Sequence, residues 1–324
     1  MNQGFWSTLP RPFFVLAPLA DVTDAAFRRV IANYGKPHVL WTEFTSAEGL
    51  CGVHHEPLWC NLLYSEAERP IVAQLWSASA AAMEQAAALV AGLGFDGIDI
   101  NMGCPDRRVE RRGAGAALCQ QPALAQALIR AAQRGAGSLP VSVKIRMGYD
   151  RDELDTWLPV LLETQPAAIT IHARTRQEKS EVPAHWDAVA RAVRIRQKHG
   201  SSTLLIGNGD VQHLAEARAR AAATGVDGVM LGRAIFGNPW LFHPSMTRDA
   251  LPAAERLRVL VEHTQLFETL LGEIKSMDRM KKHYKAYLAG IAGAEALLRQ
   301  LMASHSAAEV AAISPARQFP RPLG

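Results

Sequence analysis

The sequence predicts an α/β fold: a (β/α)8 TIM barrel over residues 1–245, a small all-helical C-terminal domain over 246–312, and a flexible tail over 313–324. Three observations carry that prediction. Eight short apolar, strand-like runs recur up to Phe236, Ala- and Leu-rich stretches of helical length separate most of them, and beyond Pro244 the strand signal stops. Alternating strand and helix builds βαβ units and a parallel sheet, and eight such units are the count of a barrel. The rival, an open doubly wound sheet, usually carries a Gly-rich turn after its first strand. Here the first strand runs into APLADVTDAAF, which has no such turn.

In chain order the predicted strands are FFVLA (13–17), HVLWTEF (38–44), IVAQLW (71–76), GIDINMG (97–103), VSVKIRMG (141–148), AITIHART (168–175), TLLIGNGD (203–210) and GVMLGRAIF (228–236). Helical stretches include 79–93, 121–134, 184–198 and 212–223. The connection after the second strand, about 46–69, is long and carries CGVHHEPLWC. Residues 253–304 read as helical throughout, with Met277, Met280, Tyr284, Leu288 and Ile291 at three- and four-residue spacing. The tail, ISPARQFPRPLG, is Pro-rich and expected to fray.

Composition narrows the function classes. The 48% of hydrophobic residues is ordinary for a globular chain. No run of 18 apolar residues exists, so no membrane partner is expected. The first residues lack a charged start, an apolar stretch and a cleavage site, so no secretory signal is visible. Four cysteines without tight, even spacing do not form a disulfide scaffold, which fits the cytoplasm. A net charge of +4 permits an anionic partner without requiring one.

Barrel chemistry gathers at the C-terminal ends of the strands. Seven of the predicted strands end in polar groups a core would not want: Glu43; Gln74; Asn101 and Cys104; Lys144 and Arg146; His172 and Arg174; Asn208 and Asp210; Gly232 and Arg233. Together they read as a pocket lining. IGNGD (206–210) and MLGRA (230–234) supply glycine-flanked turns after the last two strands, where barrels build phosphate sites from backbone N–H groups. Arg233 adds a bidentate charge. Lys144 points inward if Val141, Val143 and Ile145 face the helices. A cation and an amide (Gln74) facing a pocket suit the pyrimidine edge of a flavin, and a lysine Schiff base is the rival use of such a residue.

APLADVTDAAFRRV, NMGCP, VSVKIR, IHARTR, NGD and GVMLGRA occur in order and at family-like spacing. Together they resemble the tRNA-dihydrouridine synthases, flavin-dependent barrels with a helical C-terminal domain. The resemblance spans about 13–300, and its most specific piece is NMGCP followed by GAGAAL. It implies FMN as cofactor, with Pro18, Leu19 and Ala20 abutting it, Gln74, Lys144 and His172 at its ring system, and Asn208, Gly209, Asp210, Gly232 and Arg233 at its phosphate. It places Asn101 near the flavin and the target uracil, and makes Cys104 the proton donor. Three residues depart from the family pattern: Leu19 where Met is common, Asp21 where Gly is common, and Ser77 where a glycine is common.

The implied reaction saturates the C5–C6 bond of a uridine in tRNA. NADPH reduces FMN, hydride passes to C6, and Cys104 protonates C5. A thiol with a reference pKa of about 8.5 is mostly protonated at neutral pH and is a competent acid. The target base must be flipped out of a folded tRNA. That gives meaning to the arginines of DRRVERR (106–112), Arg107 and Arg108 among them, and to Arg174 and Arg176 of RTRQEK (174–179), which would meet the phosphate backbone. In the helical domain, Lys275, Arg279 and Lys282 fall on one helical face opposite the methionine and tyrosine stripe. RMKKHYK then reads as a tRNA-docking face, and the resemblance implies a monomer. CGVHHEPLWC offers Cys51, His54, His55 and Cys60, but the spacing lacks the paired pattern of a structural zinc site, so no metal is expected. Two other readings compete: a flavin barrel acting on a free pyrimidine or other small molecule, and an RNA-binding protein with an inactive pocket.

Overall fold

The computed structural model describes residues 3–52 and 56–313. Nine strands form its sheet: β1 Phe13–Leu16, β2 Leu40–Trp41, β3 Thr45–Ser46, β4 Ile71–Trp76, β5 Gly97–Met102, β6 Val141–Arg146, β7 Ala168–His172, β8 Leu204–Asn208 and β9 Gly228–Leu231. The order β1-β9-β8-β7-β6-β5-β4-β2 is parallel throughout, with β3 added on β4. At the remaining seam His38 N donates to Phe14 O at 3.0 Å and Leu16 N to Val39 O at 3.4 Å. The sheet is therefore a nearly closed TIM-barrel-like cylinder.

The two-residue period of a strand sorts its side chains. Ile98, Ile100 and Met102 of β5 join the outer core beneath the helices. Val15, Ala17, Val72, Ala168, Leu204, Ile206 and Met230 fill the inside of the cylinder, with Trp6 buried against them. Along the inward face the residues change from apolar at the strand starts to polar at their C-terminal ends. This gradient places the chemistry at one rim.

Among the described residues six helices longer than a single turn flank the barrel: α1 Ala25–Tyr34, α2 Ala80–Gly92, α3 Pro122–Ala136, α4 Leu154–Leu162, α5 Trp186–His199 and α6 Leu214–Thr224. Asp24 caps α1 by accepting from Phe27 N at 3.0 Å, and Ser79 caps α2 by accepting from Ala82 N at 3.3 Å. The second predicted strand divides: after Thr42 N bonds Val72 O, the chain leaves the ladder at Glu43 and rejoins it at Thr45. The last strand stops at Leu231, five residues before its predicted end, because Arg233–Ile235 turns into a 3-10 helix.

The C-terminal helical extension comprises α7 Ala253–Leu271, a 3-10 turn Met277–Met280, α8 Lys281–Leu288, α9 Glu295–Ala303 and α10 Ala307–Ile313. The sequence predicts helix throughout, and the structure corrects this: Gly290 and Gly293, at φ +77° and +71°, break the extension between α8 and α9. The predicted stripe does pack: Met280, Tyr284 and Leu288 are buried, and Met277 and Ile291 lie against the same core. α7 lies on α1, where Phe27 stacks on His263 at 4.7 Å between centroids. Lys275 Nζ donates to Glu43 at 2.6 Å, and Arg279 pairs with Asp21. These two ion pairs fasten the extension to the barrel rim. Beyond Ile313 the predicted tail lies outside the described residues, as do His54 and His55.

Candidate active site

A cavity of about 310 Å3 opens at the C-terminal ends of the strands. Among its lining residues are Pro18, Leu19, Ala20, Gln74, Asn101, Cys104, Lys144, His172, Arg174, Asn208, Gly209, Asp210, Gly232 and Arg233. Most of the polar residues singled out from sequence therefore meet at one place. Arg107, Arg108, Arg176, Arg279 and Lys282 are not part of this lining.

A directed chain of hydrogen bonds runs across the cavity floor to Cys104. Ser142 Oγ and Gln74 Nε2 each donate to Asp99, both at 2.6 Å. Gln74 Oε1 accepts from Asn101 Nδ2 at 3.1 Å, and Asn101 Oδ1 accepts from Gly103 N at 3.2 Å and Cys104 N at 2.9 Å. Each amide thus has its two ends distinguished by its partners. Asp99 is buried, and burial pushes its pKa up to about 6 against the hydrogen bonds from Ser142 and Gln74. Asp99 is not among the residues the sequence reading selects. Strict alternation in GIDINM carries the signal, since it puts Asp99 on the same face as Asn101.

The Cys104 loop is held from its other side as well. Ala116 N donates to Cys104 O at 3.0 Å, and Gly115, at φ +63°, brings the backbone so close that a Cβ there would sit 2.7 Å from Cys104 O. Arg146, 5% exposed, donates to Gly103 O at 2.8 Å, Thr175 O at 2.8 Å and Lys179 O at 2.9 Å. It binds the Cys104 loop to the loop after β7. Burial, ahead of the other influences, pushes the Cys104 thiol up, so it stays protonated at neutral pH.

Lys144 rises from β6 into the cavity, and among the described residues no hydrogen bond or ion pair to its Nζ exists. Burial first, then the positive charge of Arg146, pushes its pKa down to about 8, with Asp99 opposing. Burial and four neighbouring cations hold His172 well below its ordinary value, so its imidazole is neutral. Arg174 can only donate, so its contact at 3.2 Å makes His172 Nε2 the acceptor and leaves the proton on Nδ1.

At the other end of the cavity Gly209 has φ +142°, and a Cβ there would lie 2.6 Å from Ala184 Cβ. Asp210 follows in the left-handed region at φ +55°. It accepts from Arg233 Nη2 at 2.7 Å, from Ala184 N at 3.0 Å, and from Arg174. Against the burial that pushes it upward, the Arg174 and Ala184 hydrogen bonds hold Asp210 below the usual carboxylate range. Asn208 Nδ2 donates to Met230 O at 2.8 Å, joining the two glycine-bearing turns.

The remaining predicted cations have other engagements. Arg174 is 2% exposed and also donates to Val182 O at 2.7 Å. Arg176 forks onto Glu110, with Nε to Oε1 at 2.7 Å. Arg107 and Arg108 are exposed on the single helical turn Arg107–Glu110. Lys275 and Arg279 do not share a free helical face: they lie before and within the 3-10 turn and pair with barrel carboxylates, while Lys281 pairs with Asp278. Lys282 is part-buried on α8. Cys60 and Cys119 are buried, and among the described residues no cluster of three or more His, Cys, Asp or Glu could hold a metal. No helix among the described residues is long and apolar enough to cross a membrane.

A sequence profile of the family described as "Dihydrouridine synthase (Dus)" matches residues 15–320. The chain is 40% identical over 318 residues to a Staphylococcus aureus (strain COL) protein named "Probable tRNA-dihydrouridine synthase", covering 97% of this chain and 95% of that protein. It is 41% identical over 316 residues to "Probable tRNA-dihydrouridine synthase 2" of Bacillus subtilis (strain 168), covering 97% and 96%. Among solved structures, 6-hydroxypseudooxynicotine amine oxidase from Pseudomonas geniculata N1 aligns with TM-score 0.56 at 14% identity, over 87% of this chain and 53% of that one. Morphinone reductase in complex with tetrahydroNAD aligns with TM-score 0.51 at 15% identity, over 73% and 87%. At that identity the structural likeness bears on the fold alone.

Proposed function

The chain belongs to the dihydrouridine synthase family of FMN-dependent oxidoreductases, and on that premise we propose that it reduces specific uridines of tRNA to dihydrouridine. The observation that carries this reading is the Cys104 thiol, protonated and braced on a loop beside a cavity whose floor presents a cation, Lys144, with no hydrogen-bond or ion-pair partner among the described residues. The donor set fits FMN. Lys144 and the Gln74 amide face the space a flavin's carbonyl edge needs, and the Gly209 and Gly232 turns with Arg233 suit a phosphate. Bound FMN, reduced by NADPH, supplies the hydride that C6 of the uracil receives.

The protein's own residues do the rest. Lys144 offers positive charge where the flavin's pyrimidine edge becomes negative on reduction. Neutral His172, with its proton on Nδ1, would have one N–H to offer the ring system. Asn101 holds the Cys104 loop by two backbone N–H bonds and borders the space for the base. Cys104 gives its proton to C5 as the hydride arrives at C6, a step of general acid catalysis that contributes typically about 10²–10⁴-fold. Asp210 orients Arg233.

The same proposal assigns residues 1–245 to catalysis and 246–312 to tRNA docking, with Arg107, Arg108, Arg174, Arg176, Arg279 and Lys282 contributing at the RNA-facing rim. The exposed Arg107 and Arg108 support this most directly. Arg174, Arg176 and Arg279 would act while remaining in their ion pairs. The family resemblance supports a monomer, and a tRNA substrate supports the cytoplasm. The test is dihydrouridine formation on tRNA from a strain lacking this gene, by purified yellow enzyme with NADPH. Product on tRNA and none on free uridine is expected; equal activity on free uridine would replace tRNA with a small-molecule substrate.

A further inference from the structure

Three neighbouring strands set Gln74, Asp99 and Ser142 side by side. Gln74 of β4 is in register with Asp99 of β5, and Asp99 with Ser142 of β6. All three are buried, so solvent cannot replace a lost partner. Asn101 stands two residues beyond Asp99 on the same face, in register with Lys144.

The hydrogen bonds that join these residues to the Cys104 loop all run one way. Gly103 N and Cys104 N donate to Asn101 Oδ1, Asn101 Nδ2 donates to Gln74 Oε1, and Gln74 Nε2 donates to Asp99. Bonds aligned in this manner polarise one another. The two backbone N–H groups fix the first end, because the amide that faces them must turn its oxygen to them. The far end needs an acceptor. With its pKa at about 6, Asp99 is ionised at neutral pH, and a carboxylate can only accept. A donor in its place would set two N–H groups against each other somewhere along the chain.

That direction decides what the cavity offers. The oxygens of both amides are spent within the chain, and each nitrogen keeps a second N–H that no acceptor takes among the described residues. Together with Lys144 they make the floor a set of donors. A ligand edge seated there must carry acceptors, as the carbonyl oxygens of a flavin and of a uracil do. We infer that Asp99 is a positioning residue whose carboxylate sets the direction of this relay, turning Gln74 and Asn101 to the cavity as donors and holding the Cys104 loop. The inference rests on the proposed flavin reaction and adds the residue that orients both the cofactor edge and the acid.

The experiment uses the full-length holoenzyme at neutral pH. Asp99→Leu keeps the branched shape and removes the acceptor. Asp99→Asn keeps an acceptor for Gln74, since its NH2 can donate to Ser142 Oγ. Melting curves verify folding, and Asp99→Ala takes the place of Asp99→Leu if the latter does not fold. Prereduced enzyme with FMN in excess is mixed with tRNA, and reoxidation is timed. Asp99→Leu should slow it at least about tenfold, and Asp99→Asn should recover most of that loss. Asn101→Ala should slow it about 10²-fold, and adding Asp99→Leu should leave the rate within about threefold of Asn101→Ala alone, because both act through one loop. Effects that multiply, or a wild-type rate in Asp99→Leu, would overturn the inference. So would Asp99→Asn as slow as Asp99→Leu, which would give the effect to the negative charge near Lys144. FMN affinity, read by flavin fluorescence without tRNA, is the independent arm. Asp99→Leu should weaken it about tenfold, and an unchanged affinity would also overturn the inference. A wild-type flavin that tRNA does not reoxidise would refute the tRNA reaction, and the affinity arm would still decide the role of Asp99.

Discussion

Lys144 of the barrel rim and the cations Lys275 and Arg279 of the helical extension are deployed in opposite ways. At the rim, strand register sets the positions. Lys144 pairs with Thr170 in the β6–β7 ladder and with Asn101 in the β5–β6 ladder, so its side chain enters the cylinder beside Asn101. Among the described residues it has no carboxylate partner there. In the extension, Lys275 and Arg279 turn back to the barrel and are taken up by Glu43 and Asp21. A parallel ladder delivers charge to a place whether or not a partner waits there. A docking helix packs by its faces, so its cations can serve the joint itself.

The sharpest way to break this contrast is to free a cation of the extension. Lys275→Met leaves Glu43 buried without its partner, and the loss of one member of a buried pair costs about 3–5 kcal/mol. The melting temperature should fall while Cys104 chemistry on prebound tRNA persists. A variant as stable as wild type would mean the pair is no fastening. At the rim, Asn101→Ala removes the two backbone N–H bonds that Asn101 accepts from the Cys104 loop, leaving those from Ala116 and Arg146. A misplacement of about 1 Å can cost about 10²-fold in rate, so kcat should fall by roughly that factor with FMN retained. Asn101 acts here as a positioning residue, and kcat should fall much more than KM rises.

The Lys144 charge offers a graded test by pH. Its folded pKa, near 8, lies below the ordinary lysine value of 10.5. The apoprotein therefore bears the cost of a buried charge below about 8, and that cost lifts as pH rises toward 10.5. FMN needs the ammonium form, so its affinity should weaken above about pH 8, at most about tenfold per pH unit for one proton. Flavin fluorescence titration reads this directly, and Lys144→Met should flatten the profile. The smallest effect belongs to Asp21→Gly. Residue 21 sits at φ +58°, where glycine is at ease, so the loss of the half-exposed Arg279 pair is partly offset by relief of the backbone. Stability should move by less than about 1 kcal/mol, as chemical denaturation would show.

What was legible in the sequence follows the same division. Eight strand-like runs and their polar ends predict the barrel and the cavity, because a two-residue period fixes which side chains face inward. Asp99 obeys that rule too, but only the structure shows that it anchors Gln74 and, through Asn101, the Cys104 loop. The resemblance supplied the roles of Pro18 to Ala20, which no periodicity marks. The joint between barrel and extension was not legible. Glu43 and Lys275 stand 232 residues apart, and nothing local announces that they meet. The glycine usual at position 21 has its reason in the left-handed backbone there, and Asp, which tolerates that conformation, adds the carboxylate that Arg279 finds.

The central claim is that the braced Cys104 thiol is the acid of the reaction. Anaerobic single turnover tests it most directly: holoenzyme is first reduced with NADPH, then mixed with tRNA lacking dihydrouridine, and flavin reoxidation is timed. Cys104→Ala should be reduced at the wild-type rate and reoxidised at least about 10²-fold more slowly. Reoxidation of Cys104→Ala at the wild-type rate, with dihydrouridine formed, would contradict the account.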